Sequence, residues 1–385
     1  MKKGKKKPPQ IQVEDELEKS KNSEIGSQWL DFINNGIKIS NDGIRKGNLE
    51  FQFDKNDVVS TGKCIGEGVA CQVEEGIYKP LNIKVAIKKI KIYDREKRRQ
   101  LESDIKILLN NAEKNTQGCY FFVKMYGAFY DEGQVKIVLE LMDVGSFKAV
   151  INILKIAQVQ QNQILIPENI LSRICQQVYC LIYLYIVFFI IFLLFLKKIK
   201  ILIGLMHLHI IFKQVHRDIK PENILMNSKG EVKLTDFGVA KELDQTDQKL
   251  ISQRGTTAYM SPERINGDEY SFPSDIWSFG IVIYEMITGK YPFQADKTII
   301  QLHQLFQNME EQYFVLPKQP NFSNSLRNFI QQCLVIDPNK RSSAIELLVH
   351  PFINDNLSQD NDIQEWLNDI KYKYMQKQSQ NLSQE

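Results

Sequence analysis

Four side chains with a common chemistry crowd one part of the chain. They lie in His216-Arg217-Asp218-Ile219-Lys220-Pro221-Glu222-Asn223 and, a little further on, Asp236-Phe237-Gly238. An acid, a lysine, an amide and a second acid in one cleft are what phosphoryl transfer asks of a protein. The reaction needs little covalent help, so a base orients the hydroxyl, cations neutralise γ-phosphate oxygens, and oxygen ligands hold magnesium. Asp218 would orient the hydroxyl, Lys220 would neutralise, and Asn223 and Asp236 would hold the metal.

These groups need elements that place them, and a second cation for the remaining phosphates. Residues 58–142 alternate short apolar runs with turns, which predicts a strand-rich unit. Within it, Ile65-Gly66-Glu67-Gly68-Val69-Ala70-Cys71-Gln72-Val73 is a candidate phosphate-covering loop, because glycine lets backbone amides approach phosphate with no Cβ in the way. The strand-like Val85-Ala86-Ile87-Lys88 follows at the matching distance, and Lys88 rather than Lys89 fits its alternation. Residues 95–111 predict a helix that would offer an acid to Lys88. Apolar spacing in Leu101-Glu102-Ser103-Asp104-Ile105 puts Asp104 at that position, and Glu102 would point about 200° around the helix.

Taken together, the motifs resemble those of eukaryotic protein kinases, with Lys220 two residues after the acid in the serine/threonine form. Gly255-Thr256-Thr257-Ala258-Tyr259-Met260-Ser261-Pro262-Glu263-Arg264 narrows the resemblance to MAP kinase kinases. The resemblance covers residues 58–353. It implies an α+β two-lobed kinase fold: a small antiparallel-sheet lobe with one main helix over residues 57–142, then a mainly helical lobe over 143–353. ATP and Mg2+ would bind between the lobes.

The ATP-binding set implied is Ile65, Gly66, Gly68, Val73, Ala86, Lys88, Leu139, Glu140 and Met142. Leu139 is the gatekeeper, and Glu140 and Met142 offer backbone hydrogen bonds to adenine; Met142 reads equally well as packing. Asp275 would brace the catalytic loop and Arg341 would pair with Glu263. Two positions depart from the pattern. Cys71 replaces the third glycine, and Asp104 stands one methylene short of the usual glutamate, so that it meets Lys88 only if the helix packs closer.

The resemblance also implies dual-specificity phosphorylation of a MAP kinase on threonine and tyrosine, with an upstream MAP kinase kinase kinase modifying Thr246 and Ser252. The basic cluster Lys5, Lys6, Lys7 precedes Ile11 and Val13, whose spacing puts both on one side of an extended segment. It resembles the docking motif that holds a MAP kinase. The competing reading is a catalytically impaired scaffold that keeps this docking tail.

Forty-nine basic against 46 acidic residues is too balanced for a nucleic-acid binder by bulk charge. Six scattered cysteines, with no CxxC pair, fit reduced thiols in a cytoplasmic protein. Residues 1–56 read as a basic, largely disordered docking tail. Residues 354–385 read as a polar, mostly disordered tail, although Ile363, Trp366, Leu367 and Ile370 recur at helical spacing.

Residues 178–200 are apolar enough by hydropathy to span a membrane. A crossing there would put Asp218 on the opposite side from the ATP it serves. Deleting them joins Gln177 to Ile201 and sets Leu171, Ile174, Ile201, Leu205 and Leu208 at offsets 0, 3, 7, 11 and 14, one face of one helix. Continuous helix through the insert would add about 34 Å and turn that face by roughly 140°. The Phe- and Ile-rich segment therefore reads as a retained intron rather than a membrane span, with a surface insertion as the next alternative.

Overall fold

A computed structural model of the chain describes residues 30–33, 37–46, 49–67, 71–91, 101, 104–105, 122–157, 166–176, 214–236, 241–242, 257–268, 271–293, 298–309, 316–317, 321–355 and 362–382. Residues 5–13, Gly68, Thr246, Ser252 and the apolar insert lie outside this set. Among the described residues no helix is long and apolar enough to cross a membrane.

The small lobe is built on one antiparallel sheet of β5 (Val58–Glu67), β6 (Cys71–Tyr78), β7 (Ile83–Lys91), β8 (Met125–Asp131) and β9 (Gln134–Glu140), ordered β5-β6-β7-β9-β8. The two-residue period of β7 decides what each face does. Val85 and Ile87 turn outward to pack with Phe53, Phe129 and Val138. Ala86 and Ile90 turn inward into the main core with Ile137 and Leu139. Lys88 shares the inward parity of Ala86, whereas Lys89 reaches out to Glu74 at 2.6 Å.

The chain departs from the sequence reading ahead of this sheet. A disordered tail was expected as far as residue 56, but β1 (Leu30–Ile33), β2 (Ile37–Ser40), β3 (Gly43–Lys46) and β4 (Leu49–Gln52) form a second antiparallel sheet. Its central hairpin pairs Ser40 with Gly43 around Asn41-Asp42. Gly43 has φ +142°, and a Cβ there would strike the Phe51 carbonyl oxygen, so the turn requires glycine. Ile39 and Ile44 face each other across the hairpin, both buried. Each contributes about 1.5–3 kcal/mol of burial to the hairpin. Phe53 then stacks on Tyr78 and Phe129, directly over Gly127, where a Cβ would sit 2.0 Å from the ring.

The large lobe opens with β10 (Gly145–Ser146) and helices α1 (Phe147–Ala157) and α2 (Glu168–Gln176). The short strands β11 (Gln214–Val215), β12 (Ile224–Met226), β13 (Val232–Leu234) and β14 (Lys241–Glu242) follow, with β10, β12 and β13 in one sheet and β11 paired to β14. Then come α3 (Pro262–Asn266), α4 (Pro273–Thr288), α5 (Ile299–Gln307), α6 (Asn324–Cys333), α7 (Ala344–Leu348) and α8 (Pro351–Asp355). Helix α4 is buried along most of its length around Trp277 and Phe279, and closes on Gly289 in the left-handed region. The architecture is the two-lobed α+β fold that the motifs implied.

The carboxy-terminal segment is a second departure. Instead of a mostly disordered tail, residues 362–382 form the 21-residue helix α9 (Asp362–Leu382), packed on α1 and α2. Ile363 and Ile370, the positions at helical spacing, are buried, and Ile363 seats against Gly230 in the β12–β13 turn. An apolar stripe of four residues suffices to fix a helix that polar composition alone would leave disordered.

Candidate active site

Lys88 is almost fully buried on the inner face of β7, held in register between Val73 on β6 and Ile137 on β9. Its ammonium lies 2.9 Å from an Asp104 oxygen and 2.5 Å from Asp236 Oδ1. Leu101, Asp104 and Ile105 stand on helical backbone with their side chains buried. The short acid thus reaches the lysine from a buried position between Leu101 and Ile105. Burial alone would lower the Lys88 pKa, but the Asp104 and Asp236 carboxylates outweigh it and hold the lysine charged. Lys88 in turn depresses the Asp236 carboxyl. A small cleft opens beside the pair, lined by Lys88, Asp104, Val123, Ile137, Leu139, Thr235 and Asp236.

The catalytic-loop groups meet around Asp218, near enough that Lys220 also lowers the Asp236 carboxyl. Lys220 Nζ donates to Asp218 Oδ2 at 2.7 Å, and Asn223 Nδ2 donates to the same oxygen at 2.9 Å and to the Asp218 carbonyl at 2.7 Å. With its amide hydrogens turned to Asp218, Asn223 leaves Oδ1 as the donor atom for a cation. The loop is braced from α4, where Asp275 accepts the backbone N–H of His216 at 2.7 Å and of Arg217 at 2.9 Å. Arg217 and Asp236 both hold left-handed backbone, at φ +69° and +63°. Such strain persists only where surrounding contacts over-determine it, as Asp275 and Lys88 do here. His216 is kept neutral by burial. Its Nε2–H tautomer donates to the Thr235 carbonyl and leaves Nδ1 for the Asp218 N–H.

Of the apolar candidates, Val73, Ala86 and Leu139 pack on the inner side of the sheet, and Met142 follows its last strand. Ala86, Leu139 and Met142 are buried, Ala86 pairs with Leu139, Val73 pairs with Gly66, and Ile65 stands exposed. The hinge backbone is fixed: Glu140 N–H donates to Lys124 O and Met142 O accepts from Gly145 N–H. The Glu140 carboxylate is held by Lys233 at 2.6 Å. Cys71 sits half-buried opposite Ile90, its thiol pushed up by burial. Arg341 meets both Glu263 oxygens, at 2.8 and 3.0 Å.

Sequence reasoning missed Val123, Ile137 and Thr235 in the cleft wall. For Ile137 the signal was there, two residues before Leu139 on the same strand face. It also missed Lys148, which reaches Glu285 on α4 and Glu222 in the catalytic loop.

An acid held by a lysine and an amide, a second acid facing a buried lysine, and an oxygen-donor pair suited to a hard divalent cation form a set fit for phosphoryl transfer. Residues 196–353 match the protein kinase domain family. Mitogen-activated protein kinase kinase 3 of Arabidopsis thaliana is 37% identical over 75% of this chain and 48% of its own length, so the match spans about half of that relative. Mitogen-activated protein kinase kinase 2 of the same plant is 35% identical over 76% of this chain and 71% of its own length. Mitogen-activated protein kinase kinase 1 is 36% identical over 76% and 73%. With Lys88 held by Asp104 and Asp236, Asp218 held by Lys220 and Asn223, and two relatives of this kind matched over 71% and 73% of their own length, the chain belongs to the MAP kinase kinase family of protein kinases.

Proposed function

We propose that this chain transfers the γ-phosphoryl group of ATP to a threonine and a tyrosine of a MAP kinase, as a dual-specificity enzyme of the cytoplasm. The observation that carries the reading is Lys88 held between Asp104 and Asp236, near a loop in which Lys220 and Asn223 both hold Asp218 and Lys220 also acts on the Asp236 carboxyl. Bound Mg2+·ATP supplies the transferable group and part of the charge neutralisation.

The rest is work for this chain's own residues. Asp218 orients the acceptor hydroxyl and Lys220 steadies charge on the γ-phosphate. Asp236, kept anionic by Lys88, and Asn223 Oδ1 are the oxygen donors for magnesium. Lys88 exchanges its contact with Asp236 for the α- and β-phosphates and keeps Asp104 as its anchor. Ala86, Leu139, Met142, Val73 and Ile65 bound the adenine, with Gly66 on the phosphate side; Gly68, outside the described residues, belongs to the same expected loop.

Residues outside the described set complete the reading. Lys5, Lys6 and Lys7, with Ile11 and Val13, dock the MAP kinase substrate, and an upstream MAP kinase kinase kinase phosphorylates Thr246 and Ser252. A non-catalytic scaffold is the rival reading, and an acid at 104 too short to meet Lys88 would favour it. The 2.9 Å contact with Lys88 weighs against it. Incubating the purified chain with Mg2+·ATP and a catalytically inactive MAP kinase tests the proposal. Phosphate on both a threonine and a tyrosine of the acceptor supports it; binding without transfer favours the scaffold.

A further inference from the structure

Lys148 is the second residue of α1, in a first helical turn that carries no acid. A cation there faces the positive end of the helix dipole, an unfavourable placement. Tertiary contacts offset it. Lys148 Nζ lies 3.2 Å from Glu285 Oε1 on α4 and 3.9 Å from Glu222, the residue before Asn223. Glu285 is a buried carboxylate on a helix packed from all sides. Its other oxygen accepts the Tyr259 hydroxyl at 2.6 Å.

Tyr259 lies in the turn that closes the segment between Asp236 and Ser261. That turn is pinned again by Ser278, which donates to the Tyr259 carbonyl at 2.7 Å, and by Tyr291, which donates to the Ala258 carbonyl. Five residues after Tyr259, Arg264 donates to the Arg217 carbonyl at 2.7 Å, beside Asp218.

We infer that Lys148 is a positioning residue for the acceptor side of the cleft: by neutralising buried Glu285 and reaching Glu222, it holds Tyr259 and its turn against the catalytic loop. The inference rests on the protein kinase reading of the site. Without the ammonium, Glu285 would be a buried charge with one neutral donor, and it would draw water or move, taking Tyr259 with it. Among the described residues Lys88 and Asp236 share no contact with Lys148, Glu285 or Tyr259, and the link to the metal side is only the 3.9 Å approach to Glu222, against 3.2 Å to Glu285. The effect therefore falls on the acceptor and not on ATP.

The test uses the full chain with an inactive MAP kinase as acceptor and ATP as donor. Lys148→Met is expected to raise the acceptor KM about tenfold or more while leaving the ATP KM within about twofold. Lys148→Arg should restore most of the loss. Glu285→Gln removes the charge but keeps an oxygen for Tyr259, so Lys148→Met combined with Glu285→Gln should return the acceptor KM to near wild type. The double variant also decides the matter if the single one fails to fold. A double variant as impaired as Lys148→Met, or equal changes in both KM values, would overturn the inference. A wild-type chain that transfers no phosphate would instead refute the functional reading beneath it.

Discussion

Lengthening Asp104 to glutamate separates two explanations of the short acid. Side-chain length alone says that Asp104→Glu should hold or raise activity, by restoring the usual reach toward Lys88. The geometry says otherwise. Asp104 already lies 2.9 Å from Lys88 and is buried between Leu101 and Ile105, each only 1% exposed. Lys88 cannot retreat, since its strand is paired on both sides and Asp236 holds it at 2.5 Å. A further methylene, roughly 1.5 Å of chain, must push the helix away or leave its rotamer well. Overpacking of this kind costs about 1–3 kcal/mol, which for a domain of this size lowers Tm by roughly 2–10 °C. Thermal melts and kcat/KM measured on the purified variant would show a lower Tm with no gain in activity. An unchanged Tm with a several-fold rise in kcat/KM would refute the close-packed helix.

Three other perturbations probe different links. Gly127→Ala should cost about 1–3 kcal/mol, because its Cβ would meet the Phe53 ring; calorimetry should show the loss partly recovered by adding Phe53→Leu. The buried Glu263–Arg341 pair gives a pH signature. Burial would raise the Glu263 pKa, but Arg341 outweighs it and depresses the carboxyl below its ordinary value of 4.5. The unfolded chain therefore binds the proton more readily, and the stabilisation is complete above that value and lost as pH falls through the depressed one. Glu263→Gln should lower Tm markedly at pH near 7, by breaking a pair whose loss costs roughly 3–5 kcal/mol. Its deficit against wild type should narrow in melts run at acid pH. Ser252→Ala should lower activation by the upstream kinase strongly and Thr246→Ala less so, since a phosphate adds about −1.5 to −2 charges able to order the segment beside Arg217. Full activation of the double variant would place the switch elsewhere.

The catalytic groups were legible in the sequence because their chemistry fixes residue type and spacing together. Asp218, Lys220 and Asn223 stand at the spacing of the motif they resemble, and the structure brings the three side chains within hydrogen-bond distance. Lys88 was legible for a different reason, the two-residue period of β7. The amino-terminal sheet was not read, because a lysine-rich average hid the Asp42-Gly43 turn and the apolar alternation of Ile37, Ile39 and Ile44 on either side of it. Helix α9 was half-legible: its stripe was visible, but the surface that buries Ile363 comes from α1, α2 and Gly230, far away in the chain. Lys148 could not be found at all, since both of its partners are non-local and a lysine in a first helical turn carries no signal by itself.

The most direct test of the central claim is Asp218→Asn, compared with wild type for both nucleotide binding and phosphate transfer. The amide keeps the size of the side chain and an acceptor for Lys220 and Asn223, so the fold and ATP affinity should hold. Removing the group that orients the acceptor hydroxyl should lower kcat about 10²–10⁴-fold. Near-wild-type transfer by the purified variant would contradict the role given to Asp218 and, with it, the account of this cleft as the site of phosphoryl transfer.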